Sequence, residues 1–331
     1  MSQTQTVVEP AGKSVAASIP YYDGPFNPPD IVASLTTARC ANWQSVNVTD
    51  ARPSMSSITL DKNGFQYVKH ASALSSPPYT VASWKDHAIR ERINDAEITE
   101  LAKSVTGAKK VMILLATGRN AQYVEPENAP ARPDIYANHD GPLPSTRAKG
   151  FYDGMDMGPV RKPHIDWGTG GIRSILREWS HELAEEAKDI IEAEDEAAKL
   201  PGGIEKNYKG RRWGFYNTWR PLKPVRRDPL GCVDYYSSKD DKSFIYWRDI
   251  PGIHGPFRAD VPLTQANPNH KWYYLSDQQP DEVLFMRMFD SNHERDPEHV
   301  AGAVHHCSFH LPGTDGEEVR ESIETKFMAF W

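Results

Sequence analysis

Cysteine is scarce in this chain. The three residues, Cys40, Cys232 and Cys307, are an odd number without metal-binding spacing, which excludes a disulfide framework and fits a reducing, cytoplasmic location. Long apolar runs are missing too: the most apolar short stretch, Val111–Ala116, falls far short of the roughly 20 residues needed to span a bilayer. Met1–Ser18 has neither the basic start nor the apolar run of a secretory signal, so no membrane partner is expected. Excess positive charge is absent as well. With 38 basic against 45 acidic residues and a formal net charge of -7, nucleic acid is not an expected partner. The one basic concentration, Lys209, Arg211, Arg212, Arg220, Lys223, Arg226 and Arg227, reads most simply as a solvated or salt-bridged face, and otherwise as a receptor for a small anion. No repeat of fixed period occurs.

What is present is the composition of an ordinary globular domain, 39% hydrophobic and 25% charged, with 26 Pro and 22 Gly marking many turns. We expect a disordered polar tail over residues 1–20 and a single domain over 21–331. Tyr21 to Pro29 reads as extended, Gln44 to Val48 and Met55 to Leu60 as short strands, and Asp61 to Gly64 as a turn into a strand at Phe65–Val68. Ser83 to Asp86 resembles a helix start, and Ile89, Ile93, Ile98, Leu101 and Val105 then predict a helix, broken near Asn94-Asp95, that ends at Gly107. Lys110 to Ala116 reads as a buried strand and Thr117 to Pro144 as a long polar loop. Ile172, Ile175, Leu176, Trp179, Leu183, Ala187, Ile190 and Ile191 predict one helix running to the stop at Pro201-Gly202-Gly203. From Trp213 onward the pattern becomes a series of aromatic and β-branched short strands: 213–219, 233–236, 244–247, 272–275, 282–289, 304–309 and 326–330. The class is therefore mainly β with flanking α, a sandwich or jelly roll with helical decoration.

Chemistry concentrates in Pro163-His164-Ile165-Asp166-Trp167-Gly168. On an extended segment His164 and Asp166 leave the same face and can grip one metal ion. Two His and one carboxylate on one face of an octahedron make the non-haem Fe(II) oxygenase site, with positions left for cosubstrate and O2. Twelve His and 45 acids in 331 residues would produce roughly one or two His-x-Asp/Glu triplets by chance, and this chain has one. Its weight therefore rests on partners elsewhere in the chain.

A third ligand is available in Val304-His305-His306-Cys307-Ser308-Phe309-His310, where alternation puts His306, Ser308 and His310 on one face and His305 on the other. Further on, Arg320-Glu321-Ser322 places a guanidinium and a hydroxyl on one face, suited to the far carboxylate of an oxo-acid cosubstrate. Arg52-Pro53-Ser54 shows that the Arg-x-Ser motif alone is cheap; the ordered set carries the reading. In Trp213–Arg220, Phe215, Asn217 and Trp219 share a face and could line a substrate pocket, which Arg220 joins only through a bend at Pro221. Aromatic core packing and a structural ion pair for Arg220 are the competing reading.

The chain resembles the fungal hydroxylase/desaturase family of secondary metabolism, related to cephem-methoxylase accessory proteins. The residues that carry the likeness are Pro163-His164-x-Asp166, Asn217-x-Trp219-Arg220-Pro221 with Asp228-Pro229-Leu230, Pro280–Leu284 with Phe289-Asp290-Ser291, His306-x-Ser308-Phe309 and Arg320–Glu324, so the likeness covers Tyr21 to the C-terminus. It implies a double-stranded β-helix core, Fe(II), 2-oxoglutarate and O2, and C–H oxidation of a small molecule by hydroxylation, desaturation or ring closure. The family pattern has Pro where this chain has His305, but the following Ser-Phe favours His306 as distal ligand, and His310 comes third. His164, Asp166 and His306 are thus expected to hold iron, and Arg320 and Ser322 the cosubstrate; a small amino acid, a peptide-derived intermediate and an alkaloid-like scaffold are all open as substrate, and the basic cluster near Arg220 favours one with a carboxylate. A metal-free jelly-roll binding protein, a zinc hydrolase with the same ligands and an Fe(II) oxidase without oxo-acid are the rival readings. Oligomeric state is not legible.

Overall fold

The structure, a computed structural model, describes residues 13–24, 40–125, 157–241, 244–250 and 252–331. The expectations for residues 1–12, 25–29 and 126–144 lie outside these. In chain order the strands are β1 (Ser14–Tyr21), β2 (Asn42–Asp50), β3 (Phe65–Lys69), β4 (Lys110–Arg119), β5 (Trp213–Pro221), β6 (Leu230–Val233), β7 (Phe244–Ile250), β8 (Phe257–Leu263), β9 (Trp272–Tyr274), β10 (Glu282–Asp290), β11 (His306–Ser308) and β12 (Ser322–Phe330).

One sheet runs β3-β10-β5-β12-β4, antiparallel throughout. Its central strands β5, β10 and β12 are buried along their whole length, so both faces are packed. Trp213, Phe215, Trp219, Met328 and Phe330 point into the main core, while Tyr216, Phe327 and Ala329 point outward beneath the helix Ala96–Thr106 through its Ile98 and Ala102. That helix follows a π-helical turn, Glu91–Asp95, at the break expected there, and it ends at Gly107 with φ 75°. Its approach begins differently from expectation: Asp86, rather than Ser83, accepts from the Ile89 N–H at the start of the His87–Arg90 turn.

The second sheet runs β1-β2-β9-β6-β11. Ser14–Tyr21 pair residue by residue with Thr49–Asn42, so the expected tail boundary at residue 20 is wrong for this segment. Its alternation is fully paired in the ladder although its composition is tail-like. Met55–Leu60 is also not a strand: Thr59 accepts from the Lys62 N–H and starts the short helix Leu60–Asn63, which Gly64 ends with φ 82°. The strand β8 was not expected from its sequence: Phe257, Ala259, Val261 and Leu263 do alternate with polar residues, but Pro262 within the run argues against a strand.

The hairpin β7–β8 joins the second sheet through the segment of His164. His164 and His306 exchange both backbone hydrogen bonds, at 3.1 and 2.9 Å, while the Ile165 N–H donates to Pro262 O and the Thr264 N–H to Pro163 O. A single residue, His164, therefore bridges β8 and β11. The chain then turns into the helix Thr169–Glu178, whose first turn is held by the Asp260 carboxylate accepting from the Gly171 N–H. A Cβ at Gly168 or Gly171 would run into Asp260, which explains glycine at both. The long helix expected from Ile172 is three pieces, Thr169–Glu178, His181–Glu186 and Lys188–Ala198. Ser180 accepts from the Leu183 N–H and restarts it, yet Ile172, Ile175, Leu176, Leu183, Ala187 and Ile190 all reach the core as their periodicity requires. Among the described residues no helix is long and apolar enough to cross a membrane.

Candidate metal and cosubstrate site

The bridge at His164 sets the site. Its Nδ1 lies 2.7 Å from Lys162 O, and His306 Nδ1 lies 3.1 Å from Val304 O, so each ring is oriented by the carbonyl two residues before it. With the proton on Nδ1, each Nε2 offers a lone pair toward the same point. Asp166 completes the group, with Oδ1 3.8 Å from His164 Nε2 and Oδ2 3.9 Å from His306 Nε2. His164, Asp166 and His306 form the one His/Cys/Asp/Glu cluster among the described residues that could hold a metal ion. Burial, then the neighbouring His306, pushes His164 down to about 4, so its imidazole is neutral and available as a ligand. Burial alone would raise the Asp166 carboxyl, but Lys326 and then His306 outweigh it and hold it low.

The expected alternatives point elsewhere. His305 turns away, with Nδ1 2.6 Å from Thr264 Oγ1, and His310 sits 3.8 Å from Asp315 on the surface. Period-two alternation puts His305 and His306 on opposite faces, as the strand pattern predicted, and His306 is the one that faces Asp166.

Both His rings open onto a narrow cavity that Arg119, Trp219, Met286, Ser308, Arg320 and Glu324 also line. Arg320 is buried, with its guanidinium carbon 5.2 Å from the Trp219 ring centroid, and donates through Nη1 to Asp228 O at 3.0 Å. Its Nε and the neighbouring Ser322 Oγ are both buried without a partner among the described residues. Burial, then the charge of Arg119, pulls Arg320 down to about 10. A buried cation and hydroxyl with unused hydrogen-bonding capacity invite an anion. Two imidazoles and a carboxylate suit Fe(II), and the open guanidinium suits a dicarboxylate chelated to it, so the side chains present fit both groups.

The substrate-side expectations divide. Trp219 lines the cavity, as expected. Asn217 reaches the metal cluster instead of a substrate, donating from Nδ2 to Asp166 Oδ2 at 2.9 Å. Phe215 packs edge-on against Trp167, with centroids 5.4 Å apart, in the core. Arg220 is on the opposite face: no bend occurs at Pro221, and the guanidinium donates to His70 O and Pro280 O. Five of the other basic residues are ion-paired, Arg211 with Glu186 and Asp189, Arg212 with Asp290, Lys223 with Glu318 and Glu321, Arg226 with Asp277 and Arg227 with Asp228. For these five the salt-bridged reading holds.

Three charged residues at the site were not anticipated. Arg119 pairs closely with Glu324, and Lys326 Nζ stands 2.9 Å from Glu324 Oε2 and 3.3 Å from Asp166 Oδ1. The available signal was the period of two itself. Continued past Arg320 and Ser322, it puts Glu324 and Lys326 on the same face.

In architecture the chain is similar to the solved iron and alpha-ketoglutarate-dependent endoperoxidase NvfI, with a TM-score of 0.60 at 22% identity over 96% of each chain. This likeness defines the class by fold, the double-stranded β-helix of the iron oxygenases. In sequence it is 58% identical, over 97% of each chain, to the gibberellin cluster GA4 desaturase of Gibberella fujikuroi. It is 33% identical to the oxidoreductase chry3 of Gibberella zeae, over 86% of this chain and 89% of the other. The alpha-ketoglutarate-dependent dioxygenase tstK of Talaromyces stipitatus is 28% identical over 87% and 85%. Residues 16–330 match the family described as the oxidoreductase/YMDC permease-like domain. The chain belongs to the fungal hydroxylase/desaturase family of Fe(II)- and 2-oxoglutarate-dependent dioxygenases, and it is an oxidoreductase acting on a small molecule of secondary metabolism with O2 as second cosubstrate.

Proposed function

We propose that this enzyme desaturates a gibberellin, GA4 or a near relative of it, at an Fe(II) centre held by His164, Asp166 and His306, with 2-oxoglutarate anchored by Arg320 and Ser322. The observation that carries the site is the pair of buried, unpartnered groups, Arg320 Nε and Ser322 Oγ, set beside the triad in one cavity. The substrate follows from 58% identity, end to end, to a gibberellin desaturase. When bound, iron with O2 and 2-oxoglutarate supplies the oxidant: the oxo-acid leaves as succinate and CO2, and two substrate hydrogens leave in water as a C=C bond forms.

The residues of the chain supply placement. The two backbone carbonyls at Lys162 and Val304 fix the imidazoles, Asn217 and Lys326 grip the two oxygens of Asp166, and Trp219 carries Arg320 on its face. Trp219, Met286, Leu230 and Val160 wall the cavity with apolar surface that limits water around it. A carboxylate on the substrate would need a receptor other than Arg220. A cytoplasmic location accords with the three free cysteines.

The test is succinate formation under air with GA4 supplied, together with the mass of the product. Loss of two hydrogens supports desaturation, gain of one oxygen would replace it with hydroxylation, and no GA4-stimulated succinate would remove the substrate assignment.

A further inference from the structure

Among the described residues, the one cation in contact with the candidate metal ligands is Lys326. Its ammonium is buried on β12, and it stands between two carboxylates, Asp166 and Glu324, at 3.3 and 2.9 Å. Glu324 is in turn anchored by Arg119 across the β12–β4 ladder. The row reads Arg119, Glu324, Lys326, Asp166 in alternating sign, and nothing in the dioxygenase chemistry itself calls for an ammonium here.

Burial gives it a reason. A buried carboxylate cut off from water is an uncompensated charge unless a cation stands beside it, and such a charge destabilises the fold strongly. We propose that Lys326 is a positioning residue that serves as the built-in counter-ion of Asp166 in the metal-free enzyme, with Glu324 dividing its charge so that the metal can take Asp166 over. This rests on the assignment of Asp166 as a metal ligand. On metal binding Lys326 keeps Glu324 as partner, so no buried charge is left alone.

The arrangement has a consequence with opposite signs at two neighbouring residues. Removing the ammonium destabilises the apoprotein but removes a cation that competes with the metal, so binding tightens. Neutralising Glu324 frees the whole charge of Lys326 for Asp166, so binding weakens. A residue that merely filled the core would move the Tm of apo and loaded enzyme alike.

The probe is Mn(II), a redox-inert substitute for iron, titrated into the full-chain apoprotein and read by loss of the free-ion paramagnetic signal and by the Tm of both forms. Lys326→Met should lower the apo Tm, enlarge the rise on loading and bind Mn(II) about tenfold tighter; Glu324→Gln should bind about tenfold weaker with a smaller rise. Lys326→Arg, which keeps the charge, should follow the wild type. If Asp166→Ala abolishes binding while Lys326→Met binds no more tightly than wild type, the counter-ion role is wrong and the triad stands. If Asp166→Ala binds Mn(II) like wild type, both fail. Should Lys326→Met not fold, Glu324→Gln decides, and an unchanged or increased affinity there overturns the proposal.

Discussion

Arg220 and Arg320 are both buried in the same sheet region, and burial pulls both guanidinium groups down to about 10. Neither has an ion pair with a carboxylate among the described residues. They differ in how their donors are spent. Arg220 gives Nη1 to His70 O at 2.7 Å and Pro280 O at 3.0 Å, and its Nη2 meets His70 Nδ1 at 2.8 Å. Arg320 makes a single bond, to Asp228 O, and turns the rest of its fork toward the cavity shared with His164 and His306. The same residue type at the same burial is thus a fastener in one place and, in the function we propose, a receptor in the other. Each leaves its buried Nε without a partner among the described residues, so what separates them is that Arg320 lines a space and Arg220 does not, since an unsatisfied buried donor costs free energy that a ligand can recover.

The largest break comes from emptying that space of its purpose. Asp166→Ala should lose metal binding and reduce turnover by roughly a thousandfold or more, because one of three ligands is gone. Metal content of the purified variant checks it, and the Arg220 region should be untouched. Next, Arg320→Gln should raise the 2-oxoglutarate requirement by about 10- to 100-fold, the worth of a charge-assisted hydrogen-bond pair, while leaving metal content normal. The readout is the KM for 2-oxoglutarate from succinate formation; an unchanged KM would make Arg320 another fastener and dissolve the contrast.

Sequence made this contrast only half visible. His164-x-Asp166 and Arg320-x-Ser322 could be paired because a period of two is fixed by strand geometry, and the Ser-Phe after His306 pointed to the histidine that faces Asp166. The same rule separates Trp219 from Arg220, one to the cavity and the other to the outer face, but a supposed bend at Pro221 obscured it. Glu324 and Lys326 escaped notice because a strand packed on both faces carries no amphipathic stripe to mark polar residues as inward. Longer-range effects hid the rest. The ladder of β1 with β2 gives structure to a segment of tail-like composition, and Asp260 in β8 is a strand residue that belongs chemically to the start of a helix. Ser180 interrupts a helix whose apolar period continues through the break.

A smaller effect tests the fastener. Arg220→Met leaves the carbonyls of His70 and Pro280 without their buried donor, and should cost about 2–4 kcal/mol of folding stability. Denaturant unfolding measures this, and the KM for 2-oxoglutarate should stay at the wild-type value. A shift in that KM of the size seen with Arg320→Gln would mean that the two guanidiniums are not separate in function.

The smallest effect is a pH dependence peculiar to the Arg220 side. His70 meets Arg220 through Nδ1, and as the partner of a permanent cation it serves best as the neutral acceptor. Burial first and Arg220 second lower its pKa from the ordinary 6.5. The unfolded chain therefore takes up this proton more readily than the native one. The associated stability is fully present above about pH 6.5 and is lost as pH falls through the lower folded value. His70 is only partly buried, so solvent screening keeps the effect modest. Comparing Tm at about pH 7.5 and pH 5, where unperturbed His changes charge, should show a smaller acid-induced drop in Arg220→Met than in wild type. The guanidinium that held His70 low is gone in that variant, so native and unfolded chains would bind the proton more nearly alike. An equal or larger drop would show that His70 and Arg220 do not share their charge in this way.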